Sequence, residues 1–196
     1  MEFAVDVNAT NRNGMTALMT VGGAGRIEMV DYLIKCGAKI EQANYAGDTA
    51  LLIACRSGNI GTMRYLIEHG ADINWSNQAE NTSLLLCLLN RNKDMINLAI
   101  DAGAEVNAIN KLGQSPLSLT IQWGELPLLS YLIENGADVN RINPLGDLPL
   151  IVACKTGRKD IVQCLIEAGA DVNRSNIVGE GDSPLFTACR SKNLSL

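Results

Sequence analysis

Any chemistry in this chain must come from one histidine, six cysteines and a spaced set of carboxylates. His69 stands just before Gly70 at the end of a helical pattern, where an imidazolium would complement the carbonyl end of the helix dipole. A surface cap is the role this placement predicts. One histidine allows at most one histidine-based triad, and the chain has no H-E-x-x-H, C-x-x-C or P-loop sequence. Gly22-Gly23-Ala24-Gly25 could cradle a phosphate only behind a strand, and none precedes it. Asp6, Asp72, Glu105, Asp138 and Asp171 share one spacing, interrupted by Lys39. They form a column rather than an acid–base pair, and each is expected to bond its local backbone. The cysteines have neither disulfide-framework nor zinc-site spacing and read as small buried hydrophobes. No catalytic residue, cofactor site or metal centre is expected.

The elements that would position these residues follow from a period. Gly-Ala recurs at Gly37, Gly70, Gly103, Gly136 and Gly169, each step being 33 residues. Asn11, Asn44, Asn77, Asn110, Asn143 and Asn176 keep the same register, as do Ile34, Ile67, Ile100, Ile133 and Ile166. A fixed period of this size marks stacked copies of one supersecondary unit, none able to bury its apolar face alone. In residues 44–76, Asn44 to Asp48 reads as an Asx-type turn with Gly47 free to take positive φ. Thr49 follows as a helix N-cap, and Gly58 closes a short apolar helix. A second helix runs from about Ile60 to His69, with Met63, Tyr65, Leu66 and Ile67 inward. Gly70 caps it, and 71–74 lead out into the next turn.

This unit resembles the ankyrin repeat, which reads roughly G-x-T-P-L-x-x-A, then G, then L-L-x-x-G-A-D-V-N. The matching stretches are Gly113-Gln114-Ser115-Pro116-Leu117, Gly47-Asp48-Thr49-Ala50-Leu51 and Gly136-Ala137-Asp138-Val139-Asn140. The resemblance spans the chain and implies an all-α solenoid of helix-turn-helix units with β-turn fingers. The expected organisation is a single array over 1–196. Partial copies occupy 1–10 and 176–196, with full copies at 11–43, 44–76, 77–109, 110–142 and 143–175. Pro116, Pro149 and Pro184 fall where the family places a proline, at the first helical position. Thr16, Thr49, Thr82, Ser115 and Ser183 keep the capping hydroxyl, and Leu148 does not. The family's histidine after T-P-L is absent, replaced by Met19, Leu52, Leu85, Ser118, Ile151 and Phe186, which predicts weaker turn anchoring. The third copy has Glu80 and Arg91 at glycine positions and Ala99 at a core leucine, so it should be the weakest joint.

Composition narrows the partner. A net charge of −5 with a pI near 4.9 argues against a nucleic-acid groove. No signal peptide or membrane-length apolar run is visible, so a cytoplasmic protein, with the nucleus also open to it, and a monomer are expected. In ankyrin-like arrays the finger tips and the exposed side of each first helix form a concave groove. That resemblance implies a non-enzymatic scaffold or adaptor for a protein or peptide partner. The alternative is a targeting arm of a larger enzyme, channel or ubiquitin-ligase adaptor. Register assigns Tyr45, Arg56, Leu89, Leu112, Gln122, Trp123, Leu145, Lys155, Ile177 and Val178 to the binding face. Arg56, Lys155 and Arg190 would suit an acidic or mixed partner. Trp123 is either an interface anchor or ordinary packing on a neighbouring helix, and Trp75 is a second, weaker candidate.

Overall fold

Each copy opens with an asparagine that closes its own loop. Asn44 Oδ1 accepts from the backbone N–H groups of Ala46 and Asp48, both at 2.9 Å. Asn11, Asn77 and Asn110 repeat the pattern. The turn then needs a left-handed residue, which Gly47 supplies at φ +81°. The next hydroxyl starts the helix: Thr16, Thr49, Thr82 and Ser115 each accept from the N–H three residues on. Ser183 accepts from Phe186 in the same way. Leu148 makes no such bond and is buried instead.

These local rules generate the elements of the computed structural model, which describes residues 6–144, 146–176 and 181–190. All eleven regular elements among the described residues are helices, and none is long and apolar enough to cross a membrane. The chain divides into two compact units, residues 1–105 and 106–196.

The first unit holds α1 (Ala17–Gly23) and α2 (Ile27–Lys35), α3 (Ala50–Ser57) and α4 (Ile60–Glu68), and α5 (Ser83–Leu89) and α6 (Lys93–Asp101). Helix α3 packs between α1 and α5, and α4 between α2 and α6. The core repeats with the copies: Leu18 and Met19, Leu51 and Leu52, Leu84 and Leu85 are all fully buried. Burial of each such side chain stabilises by roughly 1.5–3 kcal/mol. In the second layer Leu66 is buried at the position that Ala99 takes in α6, so that copy contributes less apolar area.

The second unit holds α7 (Pro116–Trp123) and α8 (Leu126–Glu134), α9 (Pro149–Thr156) and α10 (Lys159–Glu167), and α11 (Pro184–Arg190). Its packing follows the same scheme, with α9 between α7 and α11 and α8 beside α10.

Neighbouring copies within each unit are latched by the exit asparagines. Asn74 Nδ2 donates to the Gly103 carbonyl at 3.1 Å while its Oδ1 accepts from the Glu105 N–H at 2.7 Å. Asn8, Asn107 and Asn140 make the same pair of bonds one copy on. Glu41 occupies this position in the first full copy and keeps half of the latch, its Oε1 accepting from the Asp72 N–H at 2.8 Å. The acidic column behaves as expected: Asp6, Asp72, Asp138 and Asp171 each accept from the N–H two residues on.

Four details depart from the sequence reading. Helix α4 ends at Glu68, and His69 is its C-cap, with Nδ1 against the Tyr65 carbonyl. Thr62 joins the core while Tyr65 and Ile67 are half-buried. The missing histidine is replaced twice: the Thr16 N–H reaches Met19 Sδ, and the Ser115 N–H donates to Ser118 Oγ at 2.8 Å. Turn anchoring is therefore not uniformly weakened. Cys55, Cys87 and Cys154 are buried, but Cys36 and Cys189 are exposed. A hydrogen bond with the Cys55 thiol, together with burial, pushes the Cys87 thiol far up, and burial raises Cys154.

The third copy keeps its turn geometry at the cost of strain. Glu80 and Arg91 hold φ of +60° and +53° and are the two non-glycine residues with positive φ among those described. Their counterparts elsewhere, such as Gly47 and Gly58, are glycines.

Candidate protein-interaction surface

The fingers of the first unit are joined by their backbones. The Tyr45 N–H donates to the Asn13 carbonyl at 3.2 Å, and the Gln78 N–H to the Ala46 carbonyl at 3.0 Å. This contact requires a bare α-carbon below it: a Cβ on Gly47 would lie 2.8 Å from the Gln78 nitrogen, and one on Gly14 would meet Tyr45. Tyr45 rises from that finger with 70% of its surface exposed. At the end of α5, Leu89 is 46% exposed. In the second unit the finger residue Leu112 is 74% exposed, and Gln122 at the end of α7 is exposed beside a half-buried Trp123. The candidates Leu145, Ile177 and Val178 lie outside the described residues.

The candidate cations are already partnered. Arg56 grips Asp48 through both guanidinium nitrogens, at 2.7 and 2.8 Å, and Asp48 also accepts from Asn77 Nδ2 at 2.7 Å. Lys155 Nζ lies 2.9 Å from Asp147, which accepts likewise from Asn176 Nδ2. Arg190 pairs with Asp182 at 3.0 Å. In each case the cation stands eight residues after the carboxylate, so a finger is tied to the end of its own helix. Where the acid is missing the cation is missing too: Met15 with Gly23, Asn81 with Leu89, Gln114 with Gln122. That co-occurrence is visible in the sequence alone. These charges therefore do not stand free for an acidic partner.

Trp75 is also engaged, its Nε1 donating to the Gly47 carbonyl at 2.9 Å while the indole is half-buried. Asn90 donates to the Cys55 and Arg56 carbonyls and so closes the end of α3.

The residues capable of acid–base work lie apart from this surface. Asp31 accepts from the Tyr65 hydroxyl at 2.6 Å and from Lys35 at 2.7 Å, and Tyr65 stacks on His69 with ring centroids 4.0 Å apart. The Lys35 and Tyr65 hydrogen bonds hold the Asp31 carboxyl below its usual range, and the bond to Asp31 pushes the Tyr65 phenol up. A phenol whose proton is held this way is a poor nucleophile. Among the described residues no cluster of three or more His, Cys, Asp or Glu side chains is placed to hold a metal ion.

Two models of ankyrin repeats match, one over residues 2–77 and one over 120–166, together more than half of the chain. The crystal structure of the ankyrin repeat domain of Bcl-3, described as a unique member of the IkappaB protein family, is similar in fold. Its TM-score is 0.84 at 25% sequence identity, covering 97% of this chain and 86% of that one. A comparison with curated protein sequences finds no significant match. Ankyrin domains are typically non-enzymatic, and their repeats are generally protein–protein interaction modules. Capped helix pairs in 33-residue register, joined finger to finger and latched by asparagines, place this chain in the ankyrin-repeat family.

Proposed function

We propose that the chain is a non-enzymatic scaffold or adaptor that holds a protein or peptide segment at the finger tips and exposed first-helix ends of its units, those of α1, α3 and α5 in the first and of α7 and α9 in the second. The observations that carry this reading are the exposure of Tyr45 and Leu89 at a finger and a first-helix end of the first unit, and of Leu112 at a finger of the second. Exposed apolar groups gathered on one side of a protein mark interaction sites. Arg56 and Lys155 act here as braces that fix the fingers rather than as charges offered to the partner. A rigid finger row lowers the ordering cost of association. On this reading the two units serve one array, working as a monomer in the cytosol or nucleus.

Affinity capture from lysate with wild type beside a Leu89→Ala/Leu112→Ala variant tests it. Proteins retained by wild type and lost by an equally stable variant are expected. Identical capture by both would remove the reading.

A further inference from the structure

The fingers of the first unit use their tip carbonyls on one another, and the fourth copy cannot. Position 112 corresponds to Asn13 and Ala46, whose carbonyls accept from the Tyr45 and Gln78 N–H groups. The residue that would donate to Leu112 is Pro144, which has no N–H. Among the described residues nothing donates to the Leu112 carbonyl, whose own N–H is held by Asn110 Oδ1 at 3.0 Å. The loop beneath is rigid: the Asn110 N–H meets the Gln114 carbonyl, the Gly113 N–H meets the Asn110 carbonyl, and Asn110 Nδ2 donates to Gln114 Oε1. The Leu112 side chain is the most exposed large apolar group among the described residues. Lys111 beside it is exposed, with no carboxylate partner among the described residues.

We propose that the 110–114 finger is the main-chain docking point for an extended peptide segment with a carboxylate beside an apolar side chain. A peptide N–H would fill the open Leu112 carbonyl, its apolar residue would cover the Leu112 side chain, and its carboxylate would pair with Lys111. Three chemically different groups converge on one tip, and together they match one short acidic–apolar strand. This pairing follows strand addition, in which backbone bonds supply affinity and side chains supply selectivity. The proposal rests on the peptide-binding reading above and narrows it to one finger.

The test uses a displayed random peptide library panned against the full chain, with the enriched peptides then measured against variants. Enrichment of peptides carrying Asp or Glu next to Leu, Ile, Val or Phe is expected. Pro144→Ala restores an N–H that can close onto Leu112. It should protect that amide from exchange and weaken these peptides about fivefold, the size of one net hydrogen bond. Leu112→Ala should weaken them about tenfold or more. Lys111→Gln should remove the salt dependence of binding, whereas Arg12→Gln on the first finger should change nothing. Equal binding by wild type, Pro144→Ala and Leu112→Ala, with stability unchanged, overturns the finger assignment. If those peptides instead lose affinity on Tyr45→Ala or Leu89→Ala, the broader reading survives and this one falls. A library that yields no binder refutes both.

Discussion

Glycine at positions 80 and 91 should make the protein more stable although no contact is added. Holding an L-residue in the left-handed region costs about 1–2 kcal/mol, and both side chains are held there at φ +60° and +53°. The greater freedom of glycine in the unfolded chain offsets about 0.5–1 kcal/mol of that gain. Glu80→Gly should therefore gain roughly 0.5–1 kcal/mol, and Arg91→Gly less, because it also gives up the interaction that Arg91 makes. The two sites lie on either side of α5, so the double variant should approach the sum of the two single effects. For a chain of this length each kcal/mol corresponds to roughly 2–4 °C in Tm.

Reverse substitutions give an internal control. A Cβ on Gly58 would meet nothing within 4 Å, so Gly58→Arg should cost only the dihedral strain. On Gly47 it would press the Gln78 backbone nitrogen at 2.8 Å, so Gly47→Glu should cost more. Urea midpoints at constant slope read all four, and hydrogen exchange of the α5 and α6 amides reports whether the gain is local. Glycine variants with unchanged or lowered midpoints at constant slope would refute the strain argument. Best protection of the third copy in the wild type would refute its place as the weakest joint.

Other expectations follow from groups already placed. The hydroxyls of Ser83 and Thr62 are buried with no hydrogen-bond partner, so Ser83→Ala and Thr62→Val should each stabilise by about 1 kcal/mol in urea titrations. Asp48→Ala strands the buried Asn77 amide and should cost about 2–4 kcal/mol. Lys155→Ala, which breaks a single contact to a better-solvated acid, should cost under about 1 kcal/mol by the same measurement. Because the folded Asp31 carboxyl is held below its ordinary value of 3.8, the stability it contributes is complete above that pH and fades as pH falls further. Tyr65, raised above 10.0, contributes stability that is lost as pH climbs past that value. Asp31→Asn should remove the acid-side difference, read by comparing unfolding midpoints of the two proteins between about pH 2 and 7.

Much of the fold was legible because its causes are local. Asn44, Gly47 and Thr49 each solve a backbone problem within four residues of themselves, so type and spacing sufficed. The surface was less legible because its state depends on what lies across the next copy. Trp75 stands in the sequence as a weaker interface candidate, yet its N–H goes to Gly47, 28 residues away. Arg56 read as a free cation, though Asp48 was visible eight residues earlier. Glu41 gave no sign of standing in for an asparagine until the Asp72 N–H was placed against it. The open Leu112 carbonyl needs both a proline and a register assignment to be seen. Both are present in the sequence, but only the backbone contacts of the first unit show what the proline removes.

The asparagine latch bears on chemical ageing. Asn74, Asn107 and Asn140 use the amide nitrogen to donate and the amide oxygen to accept. Deamidation would leave a carboxylate facing the Gly103, Gly136 or Gly169 carbonyl, exchanging a donor for a repelling acceptor. The reaction also needs the side chain to swing onto the following backbone nitrogen, which the latch prevents while it is shut. Slow loss of ammonia in these proteins would therefore count how often neighbouring copies come apart.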